Sequence, residues 1–147
     1  MHPLVLSEAL TRPELQAFAG GFPVLLLHAV VTLALLAVGS GIYSVLSPWK
    51  EAVRIREGNP AATVAFGGVL LGLAIPLAVS LSVSSSAVDI LIWGTVAVVM
   101  QLLAFRVVDL ILAGLPQRVS DGDIPAAVLL AAARLATALI LAAALTG

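Results

Sequence analysis

Two long stretches without any charged residue constrain the fold of this chain more than any other feature. No Asp, Glu, Lys or Arg occurs between Gln16 and Trp49 or between Gly58 and Val88. A helix rises about 1.5 Å per residue and the hydrocarbon core of a bilayer is about 30 Å thick, so about 20 apolar residues can span it. Each stretch is longer than this, and each predicts a transmembrane helix.

The remaining apolar runs complete an all-α fold, a four-transmembrane-helix membrane protein in which residues 1–147 form a single membrane domain. No Lys or Arg precedes Arg12, and the first apolar run is too long for a signal peptide, so we expect it to remain in the mature protein. A short helix over 12–19, ended by Gly20-Gly21, is predicted to lie on the membrane surface. The predicted spans are 22–46, 60–81, 87–113 and 124–146.

Composition excludes several classes of function. Hydrophobic residues make up 61% and charged residues 10% of the chain, against about 45–50% and about 25% in soluble domains. The net charge of −1 disfavours a nucleic-acid partner, and the absence of cysteine excludes thiolate chemistry. No catalytic or phosphate-binding motif is found. We therefore expect no enzyme activity, no metal and no cofactor.

The two halves of the sequence begin their second helices in a similar way. Pro60-Ala-Ala and Pro125-Ala-Ala lie 65 residues apart, and each follows a glycine, Gly58 or Gly122. Asn59 before Pro60 indicates a helix N-cap. We predict two parallel two-helix repeats, related by an axis along the membrane normal. Chance similarity between helices rich in alanine and leucine is the alternative.

Basic residues in the short loops predict the orientation in the membrane. Lys50, Arg54 and Arg56 lie in the first loop and Arg118 in the third, whereas the connection over 82–88 has none. Positive loops stay in the cytoplasm. We therefore expect loops 47–60 and 115–124 inside and both termini outside.

Three charges within the predicted spans are the candidate site. These residues are Arg106, Asp109 and Arg134. Insertion of a charged side chain in a membrane helix costs free energy, so such residues usually face the helix bundle or water. Because side chains lean toward the helix N-terminus, Asp109 and Arg134 are predicted to meet near the cytoplasmic side. Arg106 is predicted to share Asp109 as an i,i+3 pair. Two arginines would then share one aspartate, and the second positive charge needs water, a lipid headgroup or an ion. The alternative is a structural cluster whose arginine side chains extend to the membrane surface.

Four further residues are candidate polar or packing positions. Gly68 and Gly72 form a Gly-x-x-x-Gly pair that permits close helix contact, and we expect the protein to form a homo-oligomer through such small-residue faces. Pro76 removes the hydrogen bond of the Gly72 carbonyl, for a packing or a binding purpose. Gln101 indicates an interhelical hydrogen bond or a selectivity element.

Three segments carry a resemblance to a known family. They read GNPAATVAFGGVLLGLAIPL at Gly58–Leu77, IWGTVAVVMQLLAF at Ile92–Phe105 and GDIPAAVLLAA at Gly122–Ala132. In these segments the chain resembles the YjfL-like bacterial inner-membrane proteins, the domain-of-unknown-function family 350. The resemblance implies a four-helix protein of the bacterial inner membrane and assigns no role to any residue.

These observations leave two functions open. The first is a small oligomeric channel or transporter-like component, whose partners are the lipid bilayer and an ion or lipid headgroup. The alternative is a membrane scaffold that anchors a soluble or envelope partner, such as a cytoplasmic protein, through its loops.

Overall fold

The computed structural model describes residues 2–147 and confirms an all-α fold with four helices long and apolar enough to cross a membrane. These four are α2, α4, α5 and α7, and three of them match the predicted spans to within two residues. In the described part of the chain the helices are α1 (Pro3–Leu10), α2 (Pro13–Leu46), α3 (Glu51–Arg56), α4 (Pro60–Val83), α5 (Ala87–Ile111), α6 (Leu115–Ser120) and α7 (Ile124–Leu145).

The first long helix differs from the prediction. α2 runs without a break through Gly20 and Gly21, so the prediction that a separate helix over 12–19 ends there is wrong. Each glycine in a helix costs about 1 kcal/mol relative to alanine. Ending the helix inside an apolar environment would leave backbone groups unpaired, at several kcal/mol each. A continuous helix is therefore lower in free energy than one that ends at the two glycines. The separate short helix is α1, which precedes α2.

Two short helices, α3 and α6, occupy the loops that the basic residues mark. A residue with positive φ precedes each of them, Lys50 (50°) and Gly114 (91°), and a glycine with positive φ follows each, Gly58 (85°) and Gly122 (90°). The members of each pair lie 64 residues apart. The two connections therefore share a six-residue helix and these positive-φ positions, while the repeat of the complete halves stays a prediction.

The helices that follow these glycines begin with equivalent caps. The Asn59 side chain accepts a hydrogen bond from the Ala62 N–H at 3.2 Å, and Asp123 accepts one from the Ala126 N–H at 3.2 Å. Each cap satisfies one of the free N–H groups at a helix start. Asn59 does more, because its Nδ2 also donates to the Ser120 carbonyl at 3.0 Å and so ties α4 to the end of α6.

Close contacts of α4 organise the bundle, since α4 packs most extensively against α7 and also contacts α2 and α5. A Cβ added to Gly68 would lie 2.7 Å from Ala131 Cα, and one added to Gly72 would lie 2.8 Å from the Phe105 ring. The predicted close helix contact at both glycines is confirmed, and it lies within one chain. Pro76 is buried on the same helix. These small-residue faces are therefore already occupied, and any self-association must use other faces.

Candidate functional site

The centre of the site is Arg134 on α7, whose side chain has no exposed surface. Its Nη1 donates to the Ala65 carbonyl of α4 at 2.8 Å, and its Nη2 donates to the Tyr43 hydroxyl of α2 at 2.7 Å. A buried charge needs both counter-charges and hydrogen-bond acceptors. The bundle supplies the acceptors from two different helices, which fixes the guanidinium between them.

Two carboxylates face this one guanidinium. Nη2 of Arg134 lies 3.3 Å from Oε1 of Glu51 and 3.5 Å from Oδ1 of Asp109. Glu51 begins α3 and is buried, whereas the Asp109 side chain on α5 is 12% exposed. The predicted contact between Arg134 and Asp109 is present, and Glu51 is a second partner that the sequence analysis did not include. We call these three residues the charge cluster.

Two aromatic rings complete the surroundings of the guanidinium. The Arg134 Cζ lies 5.3 Å from the centroid of the Tyr43 ring and 5.8 Å from that of Phe105. The two rings contact each other edge to face, with centroids 5.8 Å apart. A cation near an aromatic face gains about 0.5–2 kcal/mol, more when water is excluded. The rings therefore stabilise the charged form of Arg134 and keep water away from it.

Gln101 on α5 forms the layer next to the charge cluster. Its Nε2 donates to the Arg134 carbonyl at 3.3 Å and to the Thr137 hydroxyl at 3.1 Å. The Thr137 hydroxyl donates to the same carbonyl at 2.8 Å. Gln101 is fully buried, and its Oε1 has no partner among residues 2–147. It therefore forms an interhelical hydrogen bond that holds α5 to α7 at the residue that carries the charge.

Arg106 does not belong to the charge cluster, which corrects the predicted sharing of Asp109. In the part of the chain that the structure describes, no ion pair joins Arg106 to Asp109. Arg106 is exposed, and its Nη2 donates to the Leu46 carbonyl at 3.4 Å. The last carbonyls of a helix lack partners and carry the negative end of its dipole. The end of α2 therefore competes with Asp109 for this guanidinium.

Burial shapes the protonation of Glu51, which lies outside the four long helices. Removal from solvent raises the pKa of Glu51 above its ordinary value, and the neighbouring Arg134 opposes this only in part. One oxygen of the carboxylate, Oε2, has no hydrogen-bond partner among the described residues. The buried carboxylate therefore takes up a proton more readily than an exposed glutamate does.

An open cleft of about 390 Å³ between α2 and α5 leads to the edge of the charge cluster. Its walls are mainly apolar, and Asp109 and Arg106 both line it. Asp109 is therefore the member of the charge cluster that is accessible from the surface of the bundle, and Glu51 and Arg134 lie behind it.

Only weak signals in the sequence indicate a role for Glu51 and Tyr43. Glu51 directly follows Lys50 in a loop assigned by its basic residues. Tyr43, the only tyrosine of the chain, lies in a span without Asp, Glu, Lys or Arg. A lone buried hydroxyl needs a hydrogen-bond partner, and that need was the available signal for Tyr43. Within residues 2–147 there is no group of three or more His, Cys, Asp or Glu residues able to hold a metal ion.

Comparison with known proteins places the chain in a family. The family described as Domain of Unknown Function (DUF350) matches residues 17–145. The chain belongs to the DUF350 family. The UPF0719 inner membrane protein YjfL of Escherichia coli strain K12 is 36% identical over 105 residues, which are 71% of this chain and 80% of that protein. The protein of the same name from Escherichia coli O157:H7 gives the same values.

Family membership agrees with the four apolar helices. The chain is a multi-pass integral protein of the inner membrane, and the resemblance seen in its sequence is confirmed. No solved structure gives a significant match to it.

Proposed function

We propose that this DUF350 protein is a non-enzymatic, transporter-like membrane component that binds and releases a proton at the charge cluster. The observation that carries the proposal is the presence of two carboxylates, Glu51 and Asp109, on one fully buried guanidinium. With all three groups ionised the cluster has a net charge of −1. A site buried from water disfavours a net charge. Uptake of one proton makes the cluster neutral.

The position of each carboxylate supports this exchange. Asp109 is partly exposed and lines the cleft between α2 and α5, so protons can reach it from outside the bundle. Glu51 is buried behind it, and both carboxylates contact the same Nη2 of Arg134. A proton that moves between the two carboxylates changes which of them holds the guanidinium. The exchange therefore couples protonation to the contact between α3, α5 and α7.

Proton flux in liposomes tests this function. The purified protein is reconstituted with an internal pH-sensitive dye, and an electrical gradient is applied with potassium and valinomycin. We expect flux above that of protein-free liposomes, and we expect Glu51→Gln to remove most of it. Glu57→Gln changes an exposed glutamate next to the end of the same short helix and should leave the flux unchanged. Wild-type protein without flux, or Glu51→Gln with normal flux, would contradict the proposal.

A scaffold is the second candidate, and one surface favours it. An open, largely polar concavity of about 380 Å³ lies between the first basic loop and α6, with Trp49, Arg54 and Gln117 among its lining residues. Its position on the predicted cytoplasmic side suits a soluble partner. A photocrosslinker at Gln117 should capture one defined protein in cells if this role is correct. Loss of that crosslink in Arg54→Glu, with proton flux intact, would separate the two functions.

A further inference from the structure

The cleft between α2 and α5 combines an apolar groove with a positive charge at one end. Its apolar walls come from Ile42 and Leu46 on α2 and from Val99 and Leu103 on α5. Arg106 lies at its foot, exposed and held only through the Leu46 carbonyl at 3.4 Å. An apolar groove with a cation at one end matches a molecule that has an apolar chain and an anionic head.

The position of Arg106 along the bundle agrees with the level of lipid headgroups. Arg106 contacts the last residue of α2, Leu46, and α5 ends five residues later, about 8 Å along the axis. A second cleft of about 370 Å³ adjoins Arg106, and Trp49 lines it. Tryptophan is enriched at the membrane–water interface. From Arg106 the groove extends back to Val99, about 10 Å toward the centre of the bilayer.

The charges and polar groups around the groove leave Arg106 available to an anion. Asp109 also lines the groove, but its nearest cation is Arg134 of the charge cluster. In residues 2–147 no carboxylate lies within ion-pair distance of Arg106. A guanidinium suits the oxygens of a phosphate, because its N–H groups can donate two parallel hydrogen bonds to them.

We propose that this groove binds one anionic phospholipid, with an acyl chain between α2 and α5 and the phosphate on Arg106. A lipid is favoured over a soluble phosphate because the groove is open between two spans and its walls are apolar. A free anion would use Arg106 alone and leave these walls exposed. Asp109 of the charge cluster also lines the groove. The lipid site does not rest on proton exchange, because its phosphate contact is Arg106, which lies outside the charge cluster.

Thermal unfolding of the detergent-purified protein, titrated with lipid, tests the site. Phosphatidylglycerol should raise the unfolding temperature at lower concentration than phosphatidylcholine does, whereas glycerol 3-phosphate should have no effect. Arg106→Gln should weaken the response to phosphatidylglycerol about tenfold, the loss expected for one charge-assisted hydrogen bond. Arg56→Gln removes an exposed charge outside the groove and should respond like wild type. Val99→Trp, which fills the groove, should weaken the responses to both lipids.

Three outcomes would overturn the proposal. They are equal responses to the two lipids, equal responses of Arg106→Gln and Arg56→Gln, or a response to glycerol 3-phosphate as strong as that to the lipid. If Arg106→Gln does not fold, wild-type protein is labelled with phosphatidylglycerol that carries a photoreactive acyl chain. Adducts concentrated on Val99 and Leu103 support the site. Equal labelling of Ile140, an exposed residue of α7 outside the groove, would refute it.

Discussion

Arg134 shows how a single residue decides what the rest of the bundle must provide. Its guanidinium is fully buried and takes acceptors from four helices, namely α2, α3, α4 and α5. An unpaired charge in this position would oppose folding by several kcal/mol. The cluster is also asymmetric, because one cation serves two carboxylates. Loss of the cation therefore differs in kind from loss of either anion.

Removal of the charge of Arg134 should destabilise the protein more than removal of either carboxylate charge. Arg134→Gln leaves the buried Glu51 and the partly exposed Asp109 without a cation, and we expect a loss of about 3–5 kcal/mol in the free energy of unfolding. Glu51→Gln and Asp109→Asn each leave one complete ion pair, so their losses should be smaller. Equilibrium unfolding in mixed detergent micelles measures all three. Arg106→Gln, on the same bundle but outside the cluster, is the control.

The double variant Arg134→Gln with Glu51→Gln extends this prediction. It leaves one carboxylate instead of two without a cation, so part of the loss should be recovered. A single Arg134→Gln loss no larger than that of Arg106→Gln would show that the buried charge is not held as the structure shows. Absence of recovery in the double variant would show that Glu51 and Arg134 act independently.

A second prediction uses the two equivalent caps, in which Asn59 and Asp123 differ. Asn59→Asp keeps the acceptor for the Ala62 N–H but removes the donor to the Ser120 carbonyl, and should destabilise by about 1–3 kcal/mol. Asp123→Asn keeps its cap and loses only an exposed ion pair with Arg118, so it should be nearly neutral. Thermal unfolding of both variants checks this. Equal losses would contradict the tie between α4 and α6.

The residues of the charge cluster were predictable only in part. The depth and direction of two long helices sufficed to bring Arg134 and Asp109 together. The i,i+3 spacing on α5 also predicted a contact between Arg106 and Asp109. This spacing gives no information about the Leu46 carbonyl at the end of α2, which accepts a hydrogen bond from Arg106 instead. Glu51 was unpredictable for a different reason, since its position depends on how a six-residue helix folds back over the bundle.

At the level of whole elements, the sequence predicts long helices well and short ones poorly. The bounds of α4, α5 and α7 follow from runs of apolar residues together with their caps. α3 and α6 have six residues each, too few for a periodic pattern. The predicted break at Gly20-Gly21 failed because glycine weakens a helix without ending it.

The contact between α4 and α7 can be tested with two adjacent glycines of α4. A Cβ on Gly68 would lie 2.7 Å from the backbone of Ala131, whereas one on Gly67 would meet no atom within 4 Å. Gly68→Ala should therefore destabilise by about 1–3 kcal/mol, because the helices must separate. Gly67→Ala should be neutral or slightly stabilising, since alanine favours a helix. Equilibrium unfolding that gives the same change for both would contradict this packing.

At the scale of the whole molecule, the two halves have similar connections between their helices but different interiors. The positive-φ residues and helix caps recur at a spacing of 64 residues. At the same spacing, Leu70 is the position of the first half that is equivalent to Arg134. The charge of the cluster therefore has no counterpart at that position of the first half. If the halves are repeats, a charged residue occupies this position in only one of them, while both retain the positive-φ residues and the helix caps.

The last prediction concerns the orientation of the molecule, which decides from which side protons reach the charge cluster. Glu51 belongs to the loop that also carries Lys50, Arg54 and Arg56, so the cluster lies at the basic end of the bundle. Basic loops stay in the cytoplasm, so reporter fusions at Ser85 and at Gly147 should give an external signal. A fusion at Glu57 is the control and should give a cytoplasmic one. A cytoplasmic signal at Ser85 or Gly147 would place the cluster at the outer face, where its protons would come from outside the cell membrane.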